Sequence, residues 1–65
     1  MHFKQALNQI RIQAACQLLR ASEEPVSRIA DKVGFSNVTH FNRVFKTLHG
    51  ISPSEYRENQ VNNSP

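Results

Sequence analysis

A single cysteine, two glycines and no tryptophan occur in this 65-residue chain. Cys16 alone cannot close an internal disulfide, and with three scattered histidines it makes no zinc pattern. The staples that small domains commonly use are therefore excluded, and stability falls to helix packing or to protein beyond this chain. No apolar run approaches the roughly 20 residues of a membrane span, and the N-terminus has no signal-peptide core. The chain reads as soluble and cytoplasmic, with no membrane partner. There is no acid–base pair, nucleophile elbow, metal set or glycine-rich phosphate loop, so neither an enzyme nor a cofactor is expected.

The scarcity of glycine and proline, with 38% hydrophobic residues, points instead to a helical domain. A chain this short buries only about 60% of its unfolded surface, so that core must be efficient. Net charge is +3, and its placement matters more than its size. Residues 1–24 carry +1 and residues 51–65 carry −1. The middle segment, with Arg28, Lys32, Arg43 and Lys46 against Asp31, carries +3. An electrostatic footprint for phosphates would lie there, although solvated helical domains also carry such charge.

Residues 3–21, rich in Ala, Leu, Gln and Arg, have strong helix propensity over five turns. Phe3, Leu7, Ile10, Ala14 and Leu18 form one apolar stripe; Ile12, Ala15, Cys16 and Leu19 form a second, rotated well away. Two stripes imply a helix held between two partners. Pro25 ends this helix and suits the entry to the next, with Ser27 the alternative N-cap. Val26, Ile29, Ala30 and Val33 then make about two helical turns, and Gly34 supplies a residue tolerant of positive φ. After Phe35, Ser36 and Asn37 are N-cap types for a helix to about His49, stopped by Gly50. Ser52 and Pro53 open a last short helix through Tyr56 and Arg57, before the polar tail of residues 59–65, expected to be flexible.

The run from Val26 to Lys46 has the order short helix, glycine, tight turn, longer helix. A helix-turn-helix needs a small residue at the helix crossing (Ala30), a positive-φ position in the turn (Gly34) and an apolar inner face on the second helix. The commonest spacing would put the first inner residue at His40; here it is Phe41, so the turn reads one residue longer. Phe41, Val44, Phe45 and Leu48 gather inside, while Ser36, Thr39, Arg43 and Lys46 gather outside, flanked by His40, Asn42 and Thr47. The outer residues suit base edges: arginine pairs with guanine, asparagine with adenine, and threonine offers methyl and hydroxyl. Val38 can meet a thymine methyl. Lys46 and Thr47, further along, suit phosphate oxygens, as do Ser36, Asn37 and Arg28.

Blander roles fit many other residues. Phe35, Phe41 and Phe45, at helical spacing on the inner face, are core rather than a stacking platform. His40 has no nucleophile or carboxylate to serve as a base. His2 and His49 read as ordinary surface residues, and Cys16 as a small helix residue rather than a redox sensor. Arg11 suits a salt bridge to Glu55 or Asp31, and Arg57 suits a tie between the last helix and the fold. Arg28 and Lys32 divide between solvated surface and phosphate contact. The rival to DNA readout is a helical protein-interaction module, but docking favours apolar anchors, and the outer face here is polar and cationic.

The spacing of Arg11, Ala15, Leu18-Leu19, Ile29-Ala30, Gly34-Phe35, Phe41, Arg43, Phe45-Lys46, Gly50, Ser52-Pro53 and Tyr56-Arg57 resembles the C-terminal part of the AraC/XylS family of transcription regulators. The resemblance implies an all-α fold: a homeodomain-like helix-turn-helix core of three helices with a long N-terminal linker helix. Residues 1–22 would be the linker helix and 25–58 the second of two helix-turn-helix motifs with its closing helix. The first motif and a sensor domain would then be missing from this chain, leaving the fragment prone to self-association through whichever stripe of the first helix is left unpaired. The resemblance also implies a sequence-specific partner in double-stranded DNA. Groove contacts would fall on Val38, Thr39, His40, Asn42 and Arg43, with Asn37 a neighbour that contacts backbone. Intact members often activate transcription, which adds RNA polymerase as a partner.

Overall fold

The absence of Gly and Pro from residues 3–21 is realised as one uninterrupted helix, α1 (Phe3–Ala21). The structure is a computed structural model describing residues 3–62, with side chains from 6 to 59. Phe3 therefore falls outside the described side chains, and His2 and Asn63–Pro65 outside the described residues altogether. Ser22 finishes α1, its N–H and hydroxyl both donating to the Leu18 carbonyl at 2.9 and 3.0 Å.

Pro25, at φ −60 and ψ 151, takes the N-cap position of α2 (Val26–Lys32). Ser27 lies inside the helix, so the proline entry prevails. The Pro25 carbonyl accepts from the N–H groups of Arg28 and Ile29 at 3.0 and 3.1 Å. At the other end the Phe35 N–H reaches back to the Ala30 carbonyl (2.9 Å) and the Gly34 N–H to Asp31 (3.2 Å). Gly34 makes this possible at φ +107, closing the helix and sending Phe35 into the core.

α3 (Val38–His49) begins at Asn37, whose Oδ1 accepts the His40 N–H at 3.1 Å. Gly50 ends it at φ 81, its N–H donating to the Lys46 carbonyl. α4 (Pro53–Asn62) starts with a reciprocal cap: the Ser52 hydroxyl accepts from the Glu55 N–H, and Glu55 Oε1 accepts from the Ser52 N–H. This helix continues well past Arg57, the end expected from sequence.

Of the two stripes on α1, one is core and the other is not. Ile12, Ala15, Cys16 and Leu19 are buried together with Ile29, Ala30, Phe35, Phe41 and Phe45. Ile10 is 64% exposed, Ala14 is exposed and Leu18 is half-buried. Phe35 meets Phe41 edge-on at 5.3 Å between centroids, and Phe41 meets Phe45 at 5.9 Å, the tilted geometries that aromatic quadrupoles favour. The phenylalanines are thus core, as expected. Leu48, placed on the inner face by periodicity, is 43% exposed, at the edge of an open hollow between α3 and α1. No strand occurs among the described residues.

Candidate nucleic-acid interface

Burying Phe41 and Phe45 fixes the rotation of α3, and the opposite face then turns outward as a consequence of helical geometry. Ser36, Asn37, Val38, Thr39, His40, Asn42, Arg43, Lys46 and Thr47 are all exposed along one turn and three helical turns. Arg28, on α2, is exposed as well. Every residue singled out from the sequence as a base or backbone contact therefore lies on accessible surface. Among the described residues the only ion pair joins Lys32 to Glu24 at 2.7 Å. Arg28, Arg43 and Lys46 keep their charge uncompensated within the described fold, whereas Lys32 spends its own on Glu24.

Two of these side chains are already partly committed. Asn37 Oδ1 serves as the α3 cap, leaving its amide N–H groups for a ligand. The Thr47 hydroxyl donates to the Arg43 carbonyl at 2.9 Å, so it faces a ligand as an acceptor. Arg43 and Thr47 border an open hollow of about 400 Å³ shared with Asn8, Gln9, Val44 and Leu48, between α3 and the N-terminal half of α1. The His40 ring lies 5.6 Å from Phe35.

Several supporting contacts differ from expectation or escaped it. Arg11 makes no ion pair with Glu55 or Asp31. Its guanidinium instead lies 5.8 Å from the Phe35 centroid, within cation–π range, against the Gly34 backbone. The absent side chain at Gly34 creates the space Arg11 fills, which a charge-pairing search does not reveal. His49 is more than a surface residue. Its ring stacks on Phe45 at 4.7 Å, and Nε2 lies 3.4 Å from Cys16 Sγ. The four-residue spacing from Phe45 was the available signal. Burial pushes the Cys16 thiol above its ordinary range, with Tyr56 and Arg20 pulling the other way.

The closing helix ties the fold as anticipated for Arg57. Its Nε donates to the Leu19 carbonyl (3.2 Å) and its terminal nitrogen to Ser22 (3.1 Å), satisfying orphan carbonyls at the end of α1. Arg20 adds a bond to the Tyr56 hydroxyl at 2.9 Å. Among the described residues no group of three or more His, Cys, Asp or Glu is placed to hold a metal ion, and no helix is long and apolar enough to cross a membrane.

This arrangement has clear relatives. Residues 1–59 match the family model described as helix-turn-helix domain. The chain is 41% identical over 49 residues to the MmsAB operon regulatory protein of Pseudomonas aeruginosa, covering 75% of this chain and 16% of that protein. It is 37% identical over 54 residues to the TCP pilus virulence regulatory protein of Vibrio cholerae, covering 83% and 20% respectively. Over 63 residues it is 32% identical to the HTH-type transcriptional regulator GadX of Escherichia coli, covering 97% and 23%. The chain thus spans between 16% and 23% of the length of these regulators. No solved structure matches it. A capped helical pair with a cationic outer face, matched over most of the chain by regulators of one kind, places this chain in the AraC-type family of helix-turn-helix, DNA-binding transcription regulators.

Proposed function

We propose that this chain reads a specific DNA sequence by inserting α3 into one major groove, with Arg43, Asn42, His40, Thr39 and Val38 at base edges. Ser36, Asn37, Lys46, Thr47 and Arg28 hold phosphates on either side. The observation that carries this reading is the uncompensated, fully outward Arg43 on a helix locked in rotation by Phe41 and Phe45. The test is a pair of substitutions. Arg43→Ala costs about 1–3 kcal/mol and relaxes preference at one base position, whereas Lys46→Ala weakens all sequences alike and flattens the salt dependence. Undiminished operator binding by Arg43→Ala overturns the assignment of the reading face.

The same reading extends to the exposed stripe of α1. Ile10, Ala14 and Leu18 border an open groove with Arg11, Lys32 and Val33. In a longer regulator this groove is where a preceding helix-turn-helix motif packs, making the present chain one of two reading heads below a sensor domain. Its brevity against its relatives supports that view. The intact protein would then place its second head in a neighbouring groove and engage RNA polymerase as an activator. The single motif binds operator DNA weakly under this reading; nanomolar affinity of this chain alone at physiological salt would count against it.

A further inference from the structure

We propose that Phe35 is a specificity-positioning residue for His40, with Arg11 as its clamp; this rests on the reading of His40 as a base contact. Phe35 lies outside any helix, in the turn between α2 and α3, yet is only 4% exposed. Its ring contacts three groups with distinct duties. Phe41 meets it edge-on from within the core. Arg11 approaches its face from α1, 5.8 Å from the centroid. His40, exposed at the start of α3, lies against it at 5.6 Å with planes 55° apart.

An exposed histidine at a helix surface ordinarily samples several rotamers within nanoseconds. Base readout needs one of them, and freezing a side chain on binding costs affinity. The Phe35 ring restricts that search before DNA arrives, because its own orientation is fixed by Phe41 behind it and Arg11 beside it. Gly34, having no side chain, leaves Arg11 room there: a Cβ would stand 3.0 Å from Arg11 Nε and push it aside by a few tenths of an ångström. The turn glycine thus contributes twice, once through its backbone and once by admitting the clamp. The backbone of His40 is pinned independently, through its N–H to Asn37. Main chain and ring of the same residue are therefore held by two different neighbours.

The test uses the whole chain with Phe35→Leu, Phe35→Tyr, Arg11→Ala and His40→Ala. Base preference is read by selection from a random duplex pool and by competition with single-base variants of the winning site. Phe35→Leu keeps an apolar core residue but removes the aromatic face. It should reduce discrimination about three- to tenfold at the one position that His40→Ala affects, and leave the Arg43 position unchanged. Phe35→Tyr should retain most of it, and in the His40→Ala background Phe35→Leu should add nothing at that position. In DNA-free protein the His40 ring protons should lose their ring-current shift in Phe35→Leu, and lose part of it in Arg11→Ala. Melting curves establish that each variant is folded at the temperature of measurement. If Phe35→Leu lowers affinity equally at every position, or acts additively with His40→Ala, Phe35 is a core residue only and the positioning role falls. If His40→Ala leaves every base preference intact, the reading of His40 itself falls, an outcome distinguished by the unchanged selection profile of that single variant.

Discussion

Gly34→Ala is the substitution for which the structure gives the fullest accounting. At φ +107 an L-residue is strained; the left-handed well alone costs about 1–2 kcal/mol, and departures from it cost up to about 3 kcal/mol. The new Cβ would also stand 3.0 Å from Arg11 Nε and 3.3 Å from Cζ. Arg11 is half-buried and must give by a few tenths of an ångström, which weakens a Phe35 contact worth about 0.5–1 kcal/mol in full. Together these give about 2–4 kcal/mol. Gly50 provides the internal standard: φ is +81 and nothing lies within 4 Å of a Cβ there, so Gly50→Ala should cost about 1–2 kcal/mol. A domain of this size has about 3–10 kcal/mol in all, and each kcal/mol moves the midpoint by about 4–8 °C. Thermal and urea denaturation followed by far-ultraviolet circular dichroism should therefore show the midpoint lowered by about 8–32 °C in Gly34→Ala and by about 4–16 °C in Gly50→Ala. In an Arg11→Ala background the cost of Gly34→Ala should shrink toward that of Gly50→Ala. Equal losses at the two glycines, with Gly34→Ala and Arg11→Ala strictly additive, would refute the packing of Arg11 against this turn.

Four further outcomes are expected. Arg57→Ala should cost about 1–3 kcal/mol by orphaning the Leu19 and Ser22 carbonyls, and Arg57→Lys should recover less than half because one ammonium cannot span both; urea midpoints decide this. Cys16 should react with a thiol reagent at least about tenfold more slowly in the native chain than in urea, since burial disfavours its thiolate. As the folded thiol holds its proton to higher pH than the unfolded one, this residue's contribution is present at neutral pH and lost as pH rises through its folded value, so stability should fall in alkaline solution. Finally, sedimentation at high concentration should reveal self-association that Ile10→Glu abolishes; a monomeric parent chain would count against the exposed stripe as a docking surface.

The order of the helices, and every end but that of α4, was legible because these features are local. Pro25, Gly34, Asn37, Gly50 and Ser52-Pro53 act through their own backbone preferences, and each sits where those preferences are used. The rotation of α3 was legible for a related reason, since Phe41 and Phe45 on one face leave Arg43 no choice but the other. What periodicity could not decide was which stripe of α1 faces the core. Ile10–Ala14–Leu18 and Ile12–Ala15–Cys16–Leu19 are comparably apolar, and only tertiary packing distinguishes them. Arg11 illustrates a different limit. Its partners are an aromatic face and a missing side chain, and neither carries the opposite charge that a sequence search looks for. The extension of α4 to Asn62 had no signal either, because the sequence beyond Arg57, ENQVN, is almost entirely polar and shows no apolar repeat.

The bonds from Arg57 to Leu19 and Ser22, and from Tyr56 to Arg20, join parts of the chain 35 to 38 residues apart. During synthesis α1 leaves the ribosome before α2, α3 and α4, so none of them is yet there to cover its inner face. α2 and α3 shelter part of that surface as they follow. The carbonyls at the end of α1, however, stay wet until Arg57 has left the ribosome. The latch is therefore made after the three helices it fastens, and a polypeptide interrupted just before Arg57 would hold all its reading residues on a helix whose foundation is unfastened.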